Sequence, residues 1–370
     1  MKKVLVVVLI LALLVGCKNT EVSTDTPSET EVVSSETGKD DKDSIEIVVD
    51  DSSEIKEDEE DKDTEEEIID LENKVKSPLT GMYIDKERLN DRPIAVMLDN
   101  YYKARPQAGL SEADIVYEIL AEGNITRYLA IIYTNKPETI GPVRSARPYF
   151  LDKALEYDPL YVHVGGSEQA KSDIKSLKMA DIDGLSSGGD IFWRKKHKPI
   201  PNNMYTNYAA IMKQSKRRKY NKNGNFETLQ FNEKDMEIEG KELNEIKIPY
   251  RDKKYSSGFK YNKEDGLYYR YVNNKPHLDE TSKIHLTAKN VIVQYAGQRV
   301  IDSVGRLEMN LIGSGKGLYI TNGKAMEVSW KKPSRRELTR FYDSNGNEIS
   351  LNPGITWFQV VPNGLNIVTK

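Results

Sequence analysis

The apolar and polar positions divide this chain before any composition is counted. Behind Lys2 and Lys3 runs an unbroken apolar stretch, Val4 to Val15. It is too short to cross a bilayer comfortably and has the length of the apolar region of a secretory signal. From Lys18 to about Ser77 the chain turns to Ser, Thr, Asp and Glu, a profile that cannot bury enough surface to fold and predicts a disordered tether. Periodicity returns afterwards. Pro93 to Leu98 reads as a buried strand, Tyr149 to Glu156 as a short helix, and Tyr161 to Val164 as a second strand leading into Gly165-Gly166-Ser167. Between Lys213 and Phe226 no apolar period survives, which predicts a domain break. Beyond it lie short β-rich segments, Val291–Tyr295, Leu318–Thr321, Met326–Trp330, Leu338–Tyr342 and Thr356–Val361, separated by Gly, Pro and Asn-Gly turns. The predicted organisation is therefore a leader over 1–17, an acidic linker over 18–77, a mixed-sheet α/β or α+β domain over 78–225 and a smaller, mainly antiparallel β domain over 226–370.

Composition sharpens the first two segments. Cys17 is the single cysteine of the chain, so no internal disulfide can form. It closes Leu14-Val15-Gly16-Cys17, which resembles the lipobox at which a bacterial lipoprotein is diacylated on sulfur and cleaved. That places the mature chain on the outer face of the cytoplasmic membrane, held there by lipid; a plain secreted protein cut near a chance cysteine is the alternative. Glu21 to Lys76 carries 23 acidic and 6 basic residues, so like charges extend it. Fully stretched, the linker reaches roughly 200 Å.

The charge of the remainder follows. The chain total is −4, and once this acidic segment and Lys2, Lys3 and Lys18 are set aside, residues 77–370 hold +10. A basic globular part favours anionic partners such as wall polymers, peptidoglycan carboxylates or lipid head groups, unless the charge is simply solvated. Nucleic acid is not an expected partner outside the cell, although other envelope proteins are. Two familiar chemistries find no support. Gly313-Ser314-Gly315-Lys316-Gly317 lacks the spacing of a phosphate loop and reads as a glycine-rich turn, and His163, His197, His277 and His285 have no zinc-ligand spacing. Neither a metal nor a cofactor is expected, and His163 on an apolar strand reads as a core histidine.

The stretch from Arg92 to Thr206 is the most distinctive. It contains Arg92-Pro-Ile-Ala-Val-Met-Leu-Asp99-Asn100, Gln107-Ala-Gly-Leu-Ser111, Gly141-Pro142-Val-Arg144-Ser145-Ala-Arg147-Pro148-Tyr149, Phe192-Trp193-Arg194 and Pro201-Asn202-Asn203-Met204-Tyr205-Thr206. With Asn352-Pro353-Gly354-Ile-Thr-Trp357-Phe-Gln359 near the end, these segments resemble the YerB-like lipoprotein family of Gram-positive bacteria, whose two modules are catalogued as domains of unknown function. The resemblance covers nearly everything after Ser77. It implies a tethered, two-domain extracytoplasmic protein and supplies no agreed catalytic residues.

Chemistry must then come from the residues themselves. Ile115 to Tyr133 is apolar at nearly every position except Glu118, Glu122, Asn124, Thr126 and Arg127. A two-residue turn at Gly123-Asn124 would pair Leu120 with Arg127 and Glu118 with Leu129, bringing Glu118, Glu122 and Arg127 to one face. Carboxylates among apolar side chains tend toward raised pKa values, as a general acid requires, whereas a Glu–Arg pair bracing a hairpin is the structural alternative. On an extracytoplasmic protein such a pair suits glycan cleavage. A lytic transglycosylase needs one glutamate, because the muramyl 6-hydroxyl of its own substrate attacks. Asp99, Arg144, Ser145 and Arg147 form a second candidate patch, with Ser145 capping the next helix and the arginines holding an anion, or else simply pairing with Asp99 or Asp114. Trp193, Asn203 and Tyr205 offer a stacking platform for a sugar ring, or are core and turn residues. Two functions stay open: a peptidoglycan enzyme using Glu118 or Glu122, and a non-catalytic wall- or protein-binding lipoprotein that scaffolds envelope enzymes.

Overall fold

The computed structural model describes residues 71–250 and 253–370. The expected leader, the expected lipidation site Cys17 and most of the acidic linker lie outside the described residues. Within them no helix is long and apolar enough to cross a membrane.

Three hydrophobic runs, β1 (Ile94–Asp99), β2 (Ile115–Leu120) and β3 (Thr126–Ile132), are buried at every position. Strands that read as continuous apolar runs are those covered on both faces. The helices α1 (Pro148–Ala154), α2 (Glu168–Ser176) and α3 (Tyr208–Arg217) alternate with β4 (Leu160–His163) and β5 (Asp181–Asp183). Ser167 and Asn207 cap α2 and α3 by accepting the backbone N–H three residues on. The second half supplies β6 (Glu245–Ile248), β7 (Ser257–Asn262), β8 (Leu267–Val272), β9 (Asn290–Ala296), β10 (Gln298–Val300), β11 (Leu307–Met309), β12 (Gly313–Thr321), β13 (Lys324–Lys332), β14 (Arg340–Tyr342) and β15 (Thr356–Pro362).

One mixed sheet runs through the described body in the order β13-β12-β9-β15-β2-β3-β1-β4-β5, with β14 beside β13. Its centre is β15, which lies parallel to β9 on one side and to β2 on the other, with Gln359 in register with Glu118. The terminal segment thus stitches together the two halves of the sequence. A smaller antiparallel sheet, built on β6, β7 and β8, packs over β2 and β3; Tyr250, just after β6, donates from its hydroxyl to the Glu118 carbonyl at 3.2 Å. Few helices, a mixed sheet in the first half and mainly antiparallel strands in the second agree with the predicted fold class.

Three local expectations are corrected. The turn after β2 holds three residues, Glu122 to Asn124, instead of two: Gly123 and Asn124 both take left-handed φ, and the Ala121 N–H reaches the Ile125 carbonyl at 2.6 Å. The ladder therefore pairs Leu120 with Thr126 and Glu118 with Tyr128. A one-residue slip sends side chains to the opposite face. Second, Ser145 does not cap α1; its hydroxyl donates to the Val164 carbonyl at 2.9 Å, and Arg147 occupies the cap position. Third, Gly313 to Gly317 forms the first half of β12 and not a turn. A Cβ on Gly315 would come within 2.6 Å of the Trp330 indole, and one on Gly317 within 2.6 Å of the Val293 carbonyl oxygen. Close packing explains Gly315 and Gly317, whereas Gly313 has open space around it and takes a φ of +121°.

Candidate functional site

The longer turn, which takes Glu122 out of β2, separates the two glutamates that the sequence brings together. Glu118 points toward the smaller sheet, where Arg270 of β8 donates to Glu118 Oε2 at 2.6 Å. Thr126 donates to Oε1 at 2.8 Å, and Asn100 reaches the same oxygen at 3.4 Å. The Arg270 guanidinium lies 4.6 Å from the Trp357 ring centroid and 4.9 Å from that of Phe259, and also donates to the Ser257 hydroxyl. Side-chain exposure is 0% for Arg270 and 1% for Glu118, so this ion pair is closed to solvent.

Glu122 and Arg127 face the other way. Glu122 accepts from Arg147 through both oxygens, with Nη2 at 3.0 Å, and from Arg127 Nη2 at 3.4 Å. Arg127 is itself anchored on the Ser145 carbonyl at 2.9 Å. Burial alone would raise the Glu122 carboxyl, but the Arg147 hydrogen bond and the two guanidinium charges outweigh it and hold the group below its ordinary value. Arg127 is pulled down to about 10 by burial and by the charge of Arg147. Beside this cluster the hydroxyls of Tyr149 and Tyr161 are buried without hydrogen-bond partners, and burial pushes both phenols well up. One carboxylate therefore answers two guanidiniums, with two idle hydroxyls nearby.

The second patch is assembled differently from its expected form. Asp99 is buried and accepts from Asn202 at 2.6 Å and from the Tyr101 N–H at 2.9 Å, with Arg144 Nε at 3.3 Å. Arg144 stays partly exposed here, while Arg147 belongs to Glu122. Trp193 is half-buried and pairs in register with Tyr205. Tyr205 is fully buried and its hydroxyl donates to Glu280 at 2.7 Å, so its ring offers no platform for a sugar. Asn203 accepts from Arg194 at 2.7 Å. Of the expected stacking residues only Trp193 is partly exposed, and it packs against the core. His163 is buried, with Nδ1 at 2.8 Å from the Gly165 carbonyl. Among the described residues no group of three or more His, Cys, Asp or Glu side chains is placed to hold a metal ion.

Sequence reading missed the partners from the second half. Besides Arg270, Glu280 gathers Lys198, Tyr205 and His197, the last at 3.1 Å, while Lys198 also donates to the Ala104 carbonyl at 2.8 Å. Glu156 binds both Lys153 and Lys332 at 3.1 Å inside the core. Apart from the i, i+3 pair of Lys153 and Glu156, these partners are far apart in the chain, and no local spacing announces them.

A groove of about 440 Å³ opens beside Arg147. Tyr149, Ser167 and Gln169 line one side, and the hairpin formed by β10 and β11 supplies the other with Ile301, Leu307 and Met309, continued by Ile312.

Comparison with known proteins places this architecture. Residues 79–221 match the N-terminal domain model of a protein family of unknown function, DUF3048, and residues 246–358 match the C-terminal domain model of that family. The chain is 35% identical over 295 residues to a protein of Bacillus subtilis (strain 168) named "Putative lipoprotein YerB", which covers 79% of this chain and 88% of that protein. A crystal structure of the YerB protein from Bacillus subtilis superposes with a TM-score of 0.74 at 33% identity, spanning 80% of this chain and 99% of that one.

Proposed function

The chain belongs to this two-module DUF3048 family, and on that premise we propose that it is a lipoprotein, anchored through Cys17 on the outer face of the cytoplasmic membrane, that binds the cell wall without cutting it. The observation that carries this reading is the state of the two glutamates. A lytic transglycosylase needs a carboxyl that is protonated near neutral pH and within reach of a glycosidic oxygen. Glu118 is sealed with Arg270, and Glu122 is held ionised by Arg147 and Arg127. Both therefore serve as braces, on opposite faces of the sheet. The +10 charge of residues 77–370 supports attraction to the anionic groups of peptidoglycan and its attached polymers.

Sedimentation with purified cell wall tests this. The mature protein is expected to pellet with the wall at low salt and to be released as salt rises, because exposed charge contacts are screened. A protein that stays in the supernatant at low salt contradicts wall binding.

A further inference from the structure

The middle strand of the smaller sheet, β7, holds a glycine that the fold itself does not ask for. Gly258 stands in register with Lys247 of β6 on one side and Tyr271 of β8 on the other. A Cβ there would meet only ordinary contacts, the nearest the Ile246 carbonyl oxygen at 3.5 Å, and the residue does not take a left-handed φ. Glycine inside a strand weakens it, and marks a bulge, a bend or the close approach of a ligand. Both ladders run unbroken past Gly258, so no bulge is present. Alternation sends Ile246, Phe259 and Arg270 inward and leaves Lys247, Gly258 and Tyr271 on the outward face, with Glu245, Lys260 and Tyr269 in the next row. Gly258 and Tyr271 line a recess there together with Lys247, Lys260 and Asn274, and the same two lysines and Asn274 line a wider cavity of about 800 Å³. The Tyr271 ring is held from two sides: Lys260 Nζ lies 5.2 Å from its centroid and the His285 ring meets it edge-on at 5.1 Å. Lys260 faces Glu245 at 3.8 Å. Lys247, Lys260 and Lys370 bring three ammonium groups to the cavity, against the carboxylates of Glu245 and of the last residue.

We propose that this outward face binds a wall saccharide that carries carboxylates, with one sugar ring over Gly258 against Tyr271 and its carboxylate at Lys247. A sugar ring presents C–H groups to an aromatic side chain and hydroxyls to an amide such as that of Asn274, and its carboxylate answers an ammonium. A polyphosphate would need the lysines alone, whereas the bare floor beside a fixed aromatic ring makes room for a flat ring. The inference names the partner and the surface for the wall-binding reading above and rests on it.

Calorimetric titration of the mature chain from residue 18 onward with a tetrasaccharide of alternating N-acetylglucosamine and N-acetylmuramic acid tests it. Chitotetraose, which has the rings without the carboxylates, and linear polyphosphate, which has charge without rings, serve as separate arms. The tetrasaccharide is expected to bind at least tenfold more tightly than either arm, and to lose at least tenfold in both Gly258→Val and Lys247→Gln. Gly258→Val is expected to melt no lower than the parent, because the space is free and a β-branched residue suits a strand. A melting temperature well below the parent's would give the glycine a structural task and overturn the proposal. Equal binding of either arm, unchanged binding in Gly258→Val or Lys247→Gln, or no binding overturns it as well. Wall sedimentation of the same proteins separates the two claims. A parent that binds the tetrasaccharide yet stays in the supernatant defeats only the wall reading, and pelleting without tetrasaccharide binding defeats only this one.

Discussion

Arg270 Nη2 stands 2.6 Å from Glu118 Oε2, across two sheets and 152 positions of sequence, with neither side chain reachable by water. Three rings surround the guanidinium, Trp357, Phe259 and Tyr128, and Thr126 takes up the second carboxylate oxygen. A buried pair of this kind is costly to split, because the survivor is left as an uncompensated charge.

Glu118→Leu and Arg270→Met are each expected to lower unfolding stability by about 3–5 kcal/mol. The double variant Glu118→Leu/Arg270→Met is expected to cost far less than the sum. Urea midpoints of the four proteins form a double-mutant cycle. Additive losses would mean that the pair contributes nothing as a pair.

Glu122 makes an acid-range prediction. Its carboxyl is held below the ordinary value in the folded chain, so the stability it contributes is present at neutral pH and is lost as pH falls through that lowered value. Between pH 6 and pH 3 the parent is expected to lose more stability than Glu122→Gln. Parallel pH curves would show that Arg147 and Arg127 do not hold the carboxylate.

Lys153 makes a prediction of the same sign in the alkaline range. Burial pulls its ammonium down to about 8, against the attraction of Glu156, while the unfolded chain keeps an ordinary lysine near 10.5. Between these values the unfolded state binds more protons, so stability rises with pH. From pH 7 to 9.5 the parent is expected to gain on the order of 1–2 kcal/mol relative to Lys153→Met, read from denaturant midpoints. No relative gain would place the lysine in a more hydrated site.

Gly317→Ala tests the packing account of the glycine run. The added methyl would press on the Val293 carbonyl of the neighbouring strand, and a loss of about 1–3 kcal/mol is expected by thermal melting. A neutral substitution would return these glycines to an unassigned role.

Much of the fold was legible because strand runs such as Ile94–Asp99 and Thr356–Pro362 are apolar at most positions and bounded by turns. The site was less so. A turn longer by one residue after Leu120 moved Arg127 off the face of Glu118, and periodicity cannot count the residues of a turn whose Gly and Asn both accept left-handed φ. Arg270 was invisible for another reason. It sits in Leu267–Val272, where Leu, Tyr and Val stand on both faces, so alternation does not reveal which positions point inward. The parallel insertion of β15 between β2 and β9 likewise depends on contacts remote in sequence.

Neither Glu118 nor Glu122 is expected to act as a general acid. Incubation of the mature protein with intact peptidoglycan, followed by mass spectrometry of the soluble fraction, tests it most directly. No glycan fragments are expected to be released by the parent, Glu118→Gln or Glu122→Gln. Fragments ending in 1,6-anhydro-muramic acid from the parent, absent with a folded Glu122→Gln variant, would contradict it and make that glutamate catalytic.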